Sequence, residues 1–151
     1  NIILNSAYFV PTDAQEKALI AAADRGVHIE LLVPSLSDST LSMHVQRSHY
    51  STLLEHGIEI YEMQDQVLHA KMVSIDHVWS VIGSSNFDYR SAGINAEIDF
   101  VILGHEIANA LNIRFQEDRK NAKRIDPVEW KNRSILDKIK QQSSRIFEGV
   151  L

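Results

Sequence analysis

His69 and Lys71 stand two residues apart in "VLHAKMVSI", residues 67–75, where alternating polarity predicts a strand. On a strand, residues i and i+2 share a face, so the imidazole and the ammonium point the same way, with Leu68, Ala70 and Met72 opposite. A helix would set the pair about 200° apart. An imidazole beside a fixed cation suits an anion. The ammonium neutralises a phosphate while the imidazole attacks it or hands it a proton. Taken alone, such a pair is common on plain protein surfaces, and only further phosphate-binding groups nearby would set it apart. Gly83-Ser84-Ser85-Asn86 comes directly after the next apolar run. Glycine permits close backbone approach, and Ser and Asn donate neutral hydrogen bonds to phosphate oxygens. If the backbone stays extended, Ser84 and Asn86 share a face; by itself the cluster also reads as a turn. In "NAEIDF", residues 95–100, Asn95 and Glu97 have the parity opposite to Ala96, Ile98 and Phe100. A carboxylate there is placed to accept the second N–H of His69, fixing its tautomer and stabilising the imidazolium. A solvated strand face is the alternative.

These residues need a frame. Strands are predicted over 2–10, 27–33, 58–63, 67–75, 78–83 and 94–103. Asp76-His77 joins two of them as a hairpin turn. A helix is expected at about 14–25, with Thr12 or Asp13 as cap and Gly26 as its stop. Further helices are predicted over 39–56 and 105–120. A last helix starts at Asp126-Pro127, with Val128, Ile135, Ile139 and Ile146 along one face. Strand–helix alternation followed by a hairpin-rich middle gives one α/β domain with a mixed sheet flanked by helices. No internal repeat or low-complexity tract interrupts residues 1–151.

Other chemistry-bearing residues weigh less. His44 and His49 lie five apart on a predicted helix, about 140° around the axis, which argues against a shared metal site. Arg90 can reach a head group or a second phosphate, or pair with Asp88. Trp79 and Trp130 are expected in the core. The absence of cysteine removes disulfides, thiolate metal sites and Cys nucleophiles.

With 151 residues, 44% of them hydrophobic and 23% charged, the chain has the size and balance of one soluble domain. Its net charge of −5 argues against a dedicated nucleic-acid module. No apolar run is long enough to span a bilayer. Asn1 opens inside a predicted strand without an initiator Met, so a piece of a longer protein is expected.

The order and spacing of "HAKMVSID", "GSSN" and "NAE" resemble the phospholipase D superfamily signature, His-x-Lys-x4-Asp with a downstream Gly-Ser-x-Asn. The likeness extends to most of the chain. "YFVPT", "RGVHIELLVP", "HGIEIYEM", "SNFDYRS" and "EWKNRS" are similar to the C-terminal half of bacterial cardiolipin synthases. The resemblance implies that His69 is a catalytic histidine, either the nucleophile that becomes phosphohistidine or the acid/base opposite it. It implies that Lys71, Ser84 and Asn86 bind the phosphate, that Glu97 orients His69, that Asp76 completes the catalytic motif and that Arg90 is a candidate head-group contact. The parity of Asp76 is opposite to that of His69 and Lys71, so it is expected to hold the hairpin turn. Members often have Gly after that Asp, where this chain has His77. The resemblance implies no cofactor and no metal.

Exchange through phosphohistidine needs two histidines on opposite sides of phosphorus. This chain has one His-x-Lys. The expected partner is an N-terminal half-domain of the same protein or a second copy related by a twofold axis. The implied activity is transfer of a phosphatidyl group between two phosphatidylglycerol molecules, at the cytoplasmic face or periphery of the cell membrane. A homodimeric phosphodiesterase or nuclease, a phospholipase D hydrolase, and a non-catalytic scaffold are the alternatives.

Overall fold

The computed structural model describes residues 1–150, arranged around a seven-stranded sheet. The sheet runs in the order β6-β5-β4-β1-β2-β3-β7. Strands β1 (Ile2–Asn5), β2 (Ile29–Pro34) and β3 (Glu59–Met63) are parallel. Helices α1 (Asp13–Asp24) and α2 (Thr40–Glu55) make the two crossovers that parallel strands require. Strands β4 (Met72–Ile75), β5 (Trp79–Gly83) and β6 (Asp99–Leu103) continue the other edge antiparallel. The short β7 (Ala122–Arg124) closes the far edge against β3. The mixed sheet flanked by helices is the expected fold class.

Strand parity divides the core in two. Leu4, Leu31, Val33 and Ile60 face Leu19 of α1 and Tyr50 and Leu53 of α2. Ile3, Leu32, Met63 and Met72 face Phe115 of α4 (His105–Arg119) on the other side. Strand β2 is buried along its whole length because both of its faces are covered. Helix α1 starts as predicted. Thr12 accepts from the Gln15 N–H at 3.3 Å, and Gln15 Oε1 accepts from the Thr12 N–H at 2.9 Å.

Several elements are shorter than their sequence pattern. The chain leaves the ladder after Asn5, although Phe9 is fully buried and stacks on Phe87 at 5.6 Å. Residues 67–71 stay outside β4 because β5, their hydrogen-bonding neighbour, ends at Gly83; the last rung is Gly83 N–H to Lys71 O at 3.3 Å. The last predicted helix is two helices. Helix α5 (Pro127–Lys131) stops, and Ser134 caps α6 (Ile135–Ser144) by accepting from the Asp137 N–H at 3.1 Å. A 3₁₀ turn over Arg145–Val150 follows. Val128, Ile135, Ile139 and Ile146 therefore share no single helix face and all stand exposed. Trp79 and Trp130 are half-buried at the margins of the core.

One buried polar cluster ties α1, α2 and the C-terminal turn together. His49, 1% exposed, contacts Glu16 at 3.1 Å and Glu148 at 3.3 Å, and Arg145 lies 3.6 Å from Glu16. His49 thus faces carboxylates, and no group of three or more metal-ligating side chains forms among the described residues. The hydrogen bond from His49, with the charges of His49 and Arg145, holds the Glu16 carboxyl below its usual value against the effect of burial. A depressed folded-state pKa stabilises the fold above the unfolded value of about 4.3, and that stabilisation is lost as pH falls through the folded value. Glu16→Gln is expected to flatten the loss of stability in this acid range, read by urea unfolding at stepped pH. A parallel acid limb in the variant would locate the sensitivity elsewhere.

Candidate active site

The candidate residues other than Asp76 belong to segments at one end of the sheet, beyond the ends of β1 and β5 and before the starts of β4 and β6. Lys71 Nζ donates to the His69 carbonyl at 3.1 Å and lies 3.5 Å from His69 Nδ1. The two side chains are neighbours as the i, i+2 spacing predicts, although an extended segment carries them in place of a regular strand. His69 is exposed and Lys71 half-buried. Burial lowers the Lys71 ammonium below its ordinary pKa, while Glu97 and Asp88 act in the opposite direction.

Gly83 sits opposite Asp99 in the β5–β6 ladder. The absence of a side chain lets the strands close, and the following residues fasten to β6. The Ser84 N–H donates to Ile98 O at 3.0 Å, and the Ile98 N–H donates to Ser84 Oγ at 2.9 Å. Ser84 Oγ in turn donates to Glu97, and Ser85 Oγ to Asp99. The helix α3 (Tyr89–Gly93) closes the arrangement. Asp88 caps it by accepting from the Ser91 N–H at 2.7 Å. Ser91 Oγ donates to Glu97 at 3.0 Å and accepts from the Asn86 N–H at 3.0 Å. Asn95 donates to Glu97 at 3.3 Å. These bonds, led by that from Ser84, lower the Glu97 pKa against burial and the charge of Asp99.

Two expectations need correction. Glu97 does not bond His69; its described partners are Ser84, Ser91 and Asn95. The reason is topological: β5 stands between β4 and β6, so the segment before β4 and the segment before β6 are two strands apart. Asp76 is not brought to the site either. It lies at the opposite end of β4, on the order of 15 Å from Lys71 at the usual rise per residue. There it bonds Asn1 and shares the hairpin turn with His77; both residues have left-handed φ, +52° and +55°. The turn role expected from parity is the one the structure shows.

The sequence pattern did not single out Asn5, Asp99 or the placement of Ser91. Asn5, at the end of β1, is 3% exposed, and neither its Oδ1 nor its Nδ2 has a hydrogen-bond partner. Asn86 Oδ1 is also buried without a partner. Both residues line a cavity of about 160 Å³ with Lys71, Gln15, Ser85 and Asp99. Unpaired buried amides are costly, and in native proteins they call for a functional or structural reason. A polar residue ending an apolar strand was the signal available for Asn5. Arg90 is exposed and faces a separate cavity of about 320 Å³ with Tyr8, Asp38, Asn86 and Asn95.

Glu97→Gln should preserve the shape of this network and remove its charge. Lys71 is then expected to titrate at lower pH, because a carboxylate favours the nearby ammonium. A pH titration of the Lys71 Cε signal by NMR measures this. An unshifted curve would mean that the field of Glu97 does not reach Lys71.

The sequence profile described as "Cardiolipin synthase, PLD-like domain" matches residues 1–119. The chain is 34% identical over its whole length to "Probable cardiolipin synthase YwiE" of Bacillus subtilis (strain 168), covering 30% of that protein. It is 37% identical over 138 residues, 91% of the chain, to "Cardiolipin synthase A" of Buchnera aphidicola subsp. Baizongia pistaciae, covering 28% of it. The chain thus spans about a third of the length of these relatives. Among solved structures, Nuc from Salmonella typhimurium, a phospholipase D family member, superposes with a TM-score of 0.71 at 21% identity, over 82% of this chain and 80% of Nuc. Phosphatidylserine synthase from Haemophilus influenzae Rd KW20 superposes with a TM-score of 0.69 at 12% identity, over 99% of this chain and 41% of that one. The fold and these matches agree: the chain belongs to the phospholipase D-like domain family of cardiolipin synthases.

Proposed function

We propose that this chain is the C-terminal catalytic half of a cardiolipin synthase-type phosphatidyltransferase. It would move a phosphatidyl group from one phosphatidylglycerol to a hydroxyl of another and release glycerol. The observation that carries the proposal is a half-built site: one histidine beside a lysine, in a domain that matches about a third of each relative's length. Among the described residues, five of the other six imidazoles have partners elsewhere, His28 with Glu59, His49 with Glu16, His56 with Asp24, His77 with Asn1 and His105 with the His77 carbonyl, and His44 lies on α2. The second imidazole comes from a partner half.

In the assembled site one histidine attacks phosphorus and the bond to the glycerol oxygen breaks. The opposing histidine gives its proton to the leaving oxygen, then takes a proton from the incoming hydroxyl, which attacks the phosphohistidine. His69 fills one of these two roles. Lys71 neutralises the phosphate, and the Asn86 amide donates to it. The single proton of Ser84 Oγ already goes to Glu97, so Ser84 serves the phosphate by exchanging Glu97 for a phosphate oxygen. Glu97 is then a positioning residue.

The edge strand β6 supports the presence of a partner. Ile98, just before it, and its own Phe100, Val101 and Leu103 are 69%, 66%, 61% and 75% exposed, on both faces of an unpaired edge. Such an edge pairs or aggregates unless it is covered. No described helix is long and apolar enough to cross a membrane. The proposed phospholipid substrate calls for a domain that works at a membrane surface. Mixing the chain with the complementary half and phosphatidylglycerol vesicles should yield cardiolipin, while either half alone yields little. Full turnover by a symmetric dimer of this chain on a soluble phosphodiester would instead establish the second reading, a homodimeric phosphodiesterase. That reading is favoured by the coverage of most of Nuc.

A further inference from the structure

Away from the catalytic end, α5 and α6 pack on α2 and enclose a groove of about 680 Å³. This volume is in the range that holds a small amphiphile. Leu54, Val128, Trp130, Ile135 and Ile139 supply its apolar walls. Val128, Ile135 and Ile139 are 68%, 74% and 58% exposed. The same groove carries Lys131, Arg133 and Lys138 against one carboxylate, Glu55, in a chain whose net charge is −5.

Arg133 is held but not neutralised. Its guanidinium lies 4.4 Å from the Trp130 ring centre. It donates to Trp130 O at 2.8 Å, Gln141 Oε1 at 2.9 Å and Ser51 Oγ at 3.2 Å. All three acceptors are neutral, and no ion pair with Arg133 forms among the described residues. A guanidinium has five N–H groups, so two remain for a ligand. Burial lowers its pKa, with the charge of Asp137 acting in the opposite direction. Lys138 stands nearby, donating to Lys131 O at 2.7 Å.

A fixed, unpaired cation at an apolar groove matches a ligand with a hydrocarbon tail and an anionic head. We propose that the α5–α6 groove is a second lipid site: it takes an acyl chain of one anionic glycerophospholipid and sets the phosphate against Arg133 and Lys138. The inference rests on the reading that the protein acts on anionic phospholipid. The site does not compete with His69 and Lys71. The C-terminal 3₁₀ turn that follows α6 packs against α3, so the groove and the catalytic end belong to one helical layer.

The chain has two tryptophans, so Trp79→Phe leaves Trp130, in the groove wall, as the only indole reporter. The probes are lysophosphatidylglycerol and lysophosphatidylcholine, each with a brominated acyl chain and below its micelle concentration. Saturable quenching of Trp130 is expected, about fivefold tighter for the anionic lipid, the share of one cation near an anionic surface. Lys138→Glu should weaken it by roughly tenfold or more, since it replaces attraction by repulsion. Ile139→Glu should abolish it. Ile139 is exposed and Lys138 half-buried with its ammonium bonded to a single carbonyl, so the fold is expected to survive both changes, checked by circular dichroism. Equal quenching by both lipids, unchanged quenching in either variant, or no quenching at all would overturn the proposal. A dimer that shields Trp130 and dissociates in Ile139→Glu would assign the groove to a second copy. Cardiolipin formation without quenching would defeat the second site alone; quenching without cardiolipin formation would defeat the transferase reading alone.

Discussion

Replacing His69 by alanine in the assembled enzyme is expected to abolish phosphatidyl transfer while leaving the fold intact. Either role proposed for His69 is indispensable. As nucleophile it forms the covalent intermediate; as acid/base it protonates a poor leaving alkoxide. The loss should reach at least ~100-fold, the low end of general-acid contributions. The side chain is exposed and the side chain within hydrogen-bonding range of it is Lys71, so little packing is lost. An unfolding midpoint unchanged within experimental scatter, with cardiolipin formation measured by mass spectrometry, separates chemistry from stability. The two roles separate in single-turnover labelling. If His69 is the nucleophile, no phosphoenzyme forms in the variant; if it is the acid/base, an activated phosphodiester with a good leaving group still labels the partner histidine. Near-native transfer by His69→Ala would remove it from the reaction.

The second large effect is expected at Gly83, through structure. A Cβ there would collide with the Asp99 side chain and the Ile98 carbonyl, and would lie 2.7 Å from Asp99 Cα. Two of those three neighbours are backbone, which cannot swing aside. Gly83→Ala should therefore push β6 from β5, at about 1–3 kcal/mol for overpacking. The rungs between Ser84 and Ile98 would lengthen and Glu97 would lose its anchor. A displacement near 1 Å at a site that works by positioning can cost about 100-fold in rate. Gly93→Ala is the matched control, because a Cβ there meets nothing within 4 Å. It should be neutral or slightly stabilising in urea unfolding, while Gly83→Ala loses both stability and transfer. Equal behaviour of the two variants would show that the β5–β6 approach is not what organises the site.

The pattern of single residues made much of this legible. Period-two alternation placed His69 beside Lys71, and that depends only on an extended backbone, so it survived the loss of regular strand over 67–71. Parity likewise separated Asp76 from the pair. The Thr12–Gln15 cap and the β4–β5 hairpin followed from local hydrogen bonding and turn chemistry. Each of these relations spans a few residues, and short-range geometry leaves little choice.

Relations between distant segments were decided otherwise. The sequence suggested that Glu97 would meet His69, because both are polar residues in neighbouring strand-like runs. The sheet order places β5 between them, and hydrogen-bond pairing at long range is not written in either run. Glu97 meets Ser84 and Ser91 because β6 begins only at Asp99, leaving residues 94–98 free to fold back over α3. Asn5 reads as an ordinary strand-end polar residue until β4 pairs beside it and Lys71, Ser85 and Asn86 join it around one cavity. The break between α5 and α6 is local, at Ser134, yet the groove it opens exists only because both helices dock on α2. The amino-acid sequence thus determined which residues could do phosphate chemistry and which neighbours share a face, through backbone periodicity. The tertiary structure decided which segments meet, because sheet order and helix docking depend on burial summed over the whole chain.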